Sequence, residues 1–72
     1  NPGNDRIWIG SENPEAIQSV WLTNMLGLNI QLVFSKSGSH LVATVPSLPA
    51  GMYTLHVQTK TMLSITKWMK TE

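Results

Sequence analysis

The chain contains no cysteine, so no disulfide, thiolate zinc site or cysteine nucleophile is available to it. An oxidising compartment is not thereby excluded, but a fold there must rest on packing alone. Charge is sparse as well: five Lys plus Arg stand against four Asp plus Glu, a net +1. That is neither a nucleic-acid footprint nor a polybasic membrane anchor. No apolar run approaches the roughly 18 residues of a bilayer span. Asn1 to Asp5 are polar turn formers, which a secretory leader does not use at its start. At 72 residues there is room for one domain, burying about 60% of the surface its unfolded chain exposes. Hydrophobic residues make up 42% and charged ones 12%, which is too apolar for a disordered tail. A compact, non-enzymatic domain is the class that remains.

What the sequence does contain is alternation. Arg6 to Gly10 is a short β-rich run with turn chemistry on both flanks. Val20 and Leu22 alternate with Ser19, Trp21 and Thr23, and Asn24-Met25-Leu26-Gly27 reads as a tight connection. Leu28, Ile30, Leu32 and Phe34 then share one face of a single longer run, followed by a polar loop from Ser35 to Ser39. Leu41, Ala43 and Val45 alternate until Pro46, which cannot donate to a ladder. Tyr53, Leu55 and Val57 face one way, with His56 opposite, and Met62 to Met69 forms the last run. The single helical rival is one turn at Pro14 to Gln18, with Asn13 as its cap and Pro14 at the first helical position. Six strand candidates at about ten-residue spacing predict an all-β sandwich with antiparallel strands.

Chemistry-bearing residues are few. His40 and His56 are the only imidazoles, and neither lies at a metal-ligand spacing from other ligands, so no metal site is expected. Asp5, Glu12 and Glu15 are turn carboxylates without a cleft to work in, and no Gly-x-Ser-x-Gly elbow or phosphate-cradling loop is present. No catalytic residue and no cofactor are therefore assigned. Trp8 lies between Ile7 and Ile9, and Trp21 between Val20 and Leu22. With those aliphatics in the core, both indoles point outward, and paired strands would bring them together as a ligand or partner surface. The alternative is that one of them covers a sheet edge or packs under a loop. Leu48-Pro-Ala-Gly51-Met-Tyr53 has the form of a tyrosine corner, a phenol at a strand start bonding to upstream backbone.

Four segments in order carry a further likeness. Asn1-Pro2 with Asn4-Asp5, Ile7 and Ile9 resembles the opening of the C-terminal domains that direct cargo through the type IX secretion system of Bacteroidetes. Ile17-Gln-Ser-Val20-Trp-Leu22-Thr-Asn24-Met-Leu-Gly27-Leu-Asn-Ile30, Leu48-Pro-Ala-Gly51-Met-Tyr53-Thr-Leu55-His-Val57 and Lys67-Trp-Met-Lys70 resemble that family's later segments. The resemblance implies an immunoglobulin-like antiparallel sandwich of about seven strands, the seventh falling between Ser11 and Gln18.

It also implies that residues 1–72 are a single sorting-signal domain, the tail of a larger secreted protein with an upstream cargo domain. Such a tail is recognised in the periplasm and carries its cargo across the outer membrane to the cell surface or medium. Its implied partners are the translocon, an outer-membrane shuttle protein and a surface sortase that removes the tail. Nucleic acid and direct membrane insertion play no part. Carried onto this sequence, Gly51 and Tyr53 hold the last strands, and Lys67, Trp68 and Lys70 face the translocon. Trp68 replaces the usual aliphatic or phenylalanine, and Thr71-Glu72 extends past the basic element. The competing class is a fibronectin-like accessory module of a secreted enzyme or adhesin, binding carbohydrate through Trp8 and Trp21 or serving as a spacer.

Overall fold

The computed structural model describes residues 5–11 and 13–71. Within them the chain forms seven strands: β1 (Asp5–Gly10), β2 (Ile17–Thr23), β3 (Asn29–Gln31), β4 (Val33–Ser37), β5 (His40–Val45), β6 (Gly51–Thr59) and β7 (Leu63–Lys70). A 3-10 turn at Pro14–Ala16 joins β1 to β2. One sheet has the order β1-β5-β4 and the other β3-β2-β6-β7, and all pairings are antiparallel. The fold is thus a two-layer sandwich, as the alternation predicts. Asn1 to Asn4, Glu12 and Glu72, which carry part of the opening motif and of the acidic end, lie outside the described residues.

The core is built from the period-2 positions. Val20 and Leu22 of one sheet meet Leu41, Ala43 and Val45 of the other, all fully buried. Ile7, Ile17, Leu32, Tyr53 and Leu55 complete the layer, with Ile9, Ile30, Phe34, Leu48, Val57 and Trp68 packed around it. Ile17 and Val20 are three residues apart, and plain alternation would put them on opposite faces. A bulge between Ile17 and Ser19 absorbs the extra residue, so both point inward.

Three expectations about the strands change. The seventh strand does not come from Ser11 to Gln18, which holds the 3-10 turn and the start of β2. It arises because the 28–34 run divides between the two sheets. Leu32 donates its N–H to the Val20 carbonyl at 3.0 Å, and the next residue, Val33, already pairs with Thr44 in the other sheet. Ile30, Leu32 and Phe34 still face inward across this switch, while Leu28 is exposed. Ser35 to Ser37 belongs to β4, so the polar loop shrinks to a two-residue turn at Gly38-Ser39. Gly38 has φ +63 and Ser39 does not have positive φ, the signature of a type II′ hairpin. Asn13 makes no side-chain cap on the 3-10 turn, and its own N–H bonds to Ser11 Oγ instead.

Asn24 shapes the β2–β3 connection. Its Oδ1 accepts from the N–H groups of Leu26 and Leu28, while Gly27 supplies φ +86. Set against immunoglobulin sheets ABED and C′CFG, the order β1-β5-β4 reads as B-E-D and β3-β2-β6-β7 as C′-C-F-G. Strand A has no counterpart among the described residues. The free edges of β1 and β7 therefore border the open side of the sandwich.

Candidate functional site

The end of sheet β3-β2-β6-β7 brings together most of the residues that the sequence singles out. The Tyr53 hydroxyl donates to the Pro49 carbonyl at 2.7 Å, which completes the tyrosine corner at the start of β6. Gly51 has φ +153, and a Cβ there would meet no atom within 4 Å. The demand for glycine is therefore conformational rather than one of space. Across the ladder Gly51 faces Lys70, and Tyr53 faces Trp68. The two rings lie 6.0 Å apart with their planes tilted by 52°. Trp68 is half-buried against the core, so it serves as a closing plug of the sandwich.

The two lysines separate by parity. Lys70 points inward, where its Nζ lies 3.3 Å from Asp5 Oδ2 and donates to the Thr71 carbonyl at 3.1 Å. Asp5 opens β1, so this ion pair fastens the last strand of one sheet to the first strand of the other. Sequence reasoning missed Asp5 as a partner, because only the fold brings the two ends of the chain together. Lys67 points the opposite way, opposite Thr54 on the outer face, and it is exposed. Gly51, Tyr53, Trp68 and Lys70 thus form a structural cluster, and Lys67 stands apart from it.

The remaining side chains of β7 show an inversion. Ser64 and Thr66 lie on the same face as Trp68 and Lys70, opposite Val57 and Leu55, but both are exposed. Leu63, Ile65 and Met69 share the outward face with Lys67, and all three are exposed, Ile65 at 59%. Met52 and the cross-strand ladder Trp21–His56–Ile65 extend this apolar strip over neighbouring strands. Trp21 and His56 stack with centroids 4.9 Å apart and planes within 5° of parallel.

Trp8 and Trp21 do not form a shared surface. Trp8 lies on β1, paired with β5, whereas Trp21 lies on β2 in the other sheet. Each points outward from its own layer, as the flanking aliphatics imply. Trp8 is 61% exposed beside His40 in an edge-to-face contact of 6.3 Å. Trp21 is half-buried under its stack with His56. The two histidines follow these indoles onto opposite layers. Among the described residues no group of three metal-ligating side chains converges, and no concave pocket opens.

With this geometry established, comparison with known proteins is informative at one level. No curated protein and no solved structure matches the chain. A family model described as a secretion system C-terminal sorting domain matches residues 1–71. It covers the opening segment, both central segments and the closing Lys67-Trp-Met-Lys70. The seven-stranded antiparallel sandwich is the architecture that the resemblance implied. The chain belongs to the family of type IX secretion system C-terminal sorting domains.

Proposed function

We propose that this chain acts as a non-catalytic address, in which residues 1–72 belong to one sorting unit carried by a cargo domain of the same polypeptide. The family match over residues 1–71 is the observation that carries this reading. In the proposed sequence of events the domain folds in the periplasm and is read there by the translocon and its outer-membrane shuttle protein. The cargo then reaches the cell surface or the medium, and a sortase removes the tail. Folding without cysteine suits this route, because no oxidant is needed to complete the sandwich.

Gly51, Tyr53, Trp68 and Lys70 serve recognition indirectly in this reading. They hold β7 in place through the tyrosine corner, the ring contact and the Asp5 ion pair. Lys67 serves it directly, as an exposed cation on the last strand. The carbohydrate alternative is less well supported, since Trp8 and Trp21 lie on separate sheets.

The test is a fusion of residues 1–72 to a reporter bearing an export signal, expressed in a Bacteroidetes strain with a working type IX system. Surface or medium localisation that disappears when the translocon is deleted is the expected result. A folded fusion that stays in the periplasm of the intact strain would overturn the reading. Mass spectrometry of the exported reporter then checks removal of the tail.

A further inference from the structure

β7 is an edge strand in which the residues with unpaired backbone groups are also those whose side chains lie on the outer face. Thr59 donates its N–H to the Met62 carbonyl at 2.8 Å, which fixes the parity of the β6–β7 ladder. In an antiparallel ladder each residue turns both its N–H and its C=O to the same side, and successive residues alternate. Val57, Leu55 and Tyr53 therefore exchange backbone bonds with Ser64, Thr66 and Trp68. The backbone groups of Leu63, Ile65, Lys67 and Met69 point away from β6, into the open edge. These are also the residues whose side chains form the exposed apolar strip.

Edges of this kind are usually blunted by a bulge, a proline, a charged side chain (lysine above all) or a covering strand. Among the described residues β7 runs in unbroken register from Leu63 to Lys70 with no bulge, proline or covering strand, its outward row guarded by Lys67 alone, on the side where no strand A is described. Charge selects the occupant. Among the described residues the sheet β3-β2-β6-β7 and its β6–β7 turn carry Lys60, Lys67 and Lys70 and no carboxylate. The described carboxylates are Asp5, which pairs with Lys70 from β1, and Glu15, which pairs with Lys36. A second copy brings, among the described residues of this sheet, no carboxylate to set opposite Lys67, so self-pairing leaves that cation unmatched. A lipid surface would leave the edge N–H and C=O groups without partners.

We infer that the open edge of β7 accepts an extended strand of a partner protein, antiparallel, with apolar side chains opposite Leu63, Ile65 and Met69 and a carboxylate opposite Lys67. Main-chain bonds supply the attachment and the alternate side chains supply the selection. The inference rests on the reading of this chain as an address recognised by protein machinery, and it names the surface and the chemistry of that recognition.

The test uses the 72-residue chain and a capped peptide, acetyl-Val-Thr-Glu-Thr-Val-Thr-Ile-amide. Peptide is expected to slow amide hydrogen exchange at Leu63, Ile65, Lys67 and Met69 while leaving the β6-bonded amides of Ser64, Thr66 and Trp68 unchanged. Lys67→Glu weakens this peptide about three- to tenfold, and replacing the peptide's Glu by Lys restores binding to that variant. Ile65→Pro removes only an outward N–H, which an edge strand tolerates. It should abolish binding while the near-ultraviolet signal of Tyr53 and Trp68 persists.

Binding that ignores both substitutions, or protection of amides elsewhere, would overturn the inference. So would attachment to phosphatidylglycerol vesicles, unaffected by Ile65→Pro, in a chain that does not respond to the peptide. The reporter fusion separates the two readings. Export of the unaltered fusion that continues with folded Ile65→Pro and Lys67→Glu variants overturns the edge and leaves the sorting role standing. Retention of the unaltered fusion, together with peptide binding as described, overturns the sorting role and leaves the edge.

Discussion

β6 and β7 are neighbours in one sheet, of nearly equal length, and they treat hydrophobicity in opposite ways. β6 turns Tyr53, Leu55 and Val57 toward the core and Thr54 and His56 onto the outer face, where both are half-buried. β7 sets Ser64 and Thr66, both exposed, on the core-side face and Leu63, Ile65 and Met69 on the outer face, keeping Trp68 as its one apolar anchor. Side-chain period is 2, so a shift of one residue would exchange these faces. The observed register places the apolar row of β7 on the outer face, where Leu63, Ile65 and Met69 stay about half exposed. If the open edge accepts a partner strand, β6 answers to folding and the outward row of β7 to association.

This contrast predicts a steep gradient in mutational cost. The largest effect belongs to the shared core. Leu22 is fully buried at the centre of the sheet that contains β6, and Leu22→Ala should cost about 3 kcal/mol. A domain of this size has about 3–5 kcal/mol of stability in total. Urea denaturation followed by circular dichroism should therefore find the variant left with at most about 2 kcal/mol and a midpoint close to zero urea. Next comes the corner that starts β6. Tyr53→Phe removes the 2.7 Å bond to the Pro49 carbonyl and should cost about 1 kcal/mol. The expected trace is a lower urea midpoint at an unchanged slope, since the same surface is exposed on unfolding.

The same contrast marks how far the sequence could be read. Alternation located β1, β5 and β6, because each buries one clean face. The corner at Tyr53 was legible because its geometry is local, spanning four residues to Pro49. The seventh strand was not, because Ile30, Leu32 and Phe34 keep one inward face while their strand changes sheets, and periodicity does not register a change of partner. The relative placement of Trp8 and Trp21 failed for the same reason: each indole's face was predictable, but which strands pair is decided by the whole topology. β7 resisted because its apolar positions alternate as in a buried strand while their face is solvent. The Lys70–Asp5 pair depends on a contact between chain ends that no spacing rule reports.

Lys70 lies between the two regimes, since it belongs to β7 but points inward. Its side chain is 13% exposed while that of Asp5 is 46% exposed, so the pair is reached by solvent from one side only. Lys70→Met keeps the length of the stem and removes the charge. The expected loss is at most about 1 kcal/mol at low salt. Because screening weakens a half-exposed pair, the gap between the variant and the unaltered chain should narrow in molar sodium chloride. A gap independent of salt would mean that Lys70 acts through the packing of its stem alone.

The smallest effect on stability is the most informative about β7. Ile65 is a large β-branched residue in mid-strand, and at a core position its replacement by serine would be ruinous. Here the side chain is 59% exposed, on the face that turns away from the sandwich. Ile65→Ser should therefore change the unfolding free energy by no more than about 0.5 kcal/mol. Leu55→Ser, the corresponding change on the inward face of β6, should unfold the domain. Equal damage at both positions would mean that Ile65 contributes to the domain's own packing, and the outward row of β7 would lose its claim to serve a partner. A silent Ile65→Ser that still abolishes peptide binding would separate folding from recognition at a single side chain.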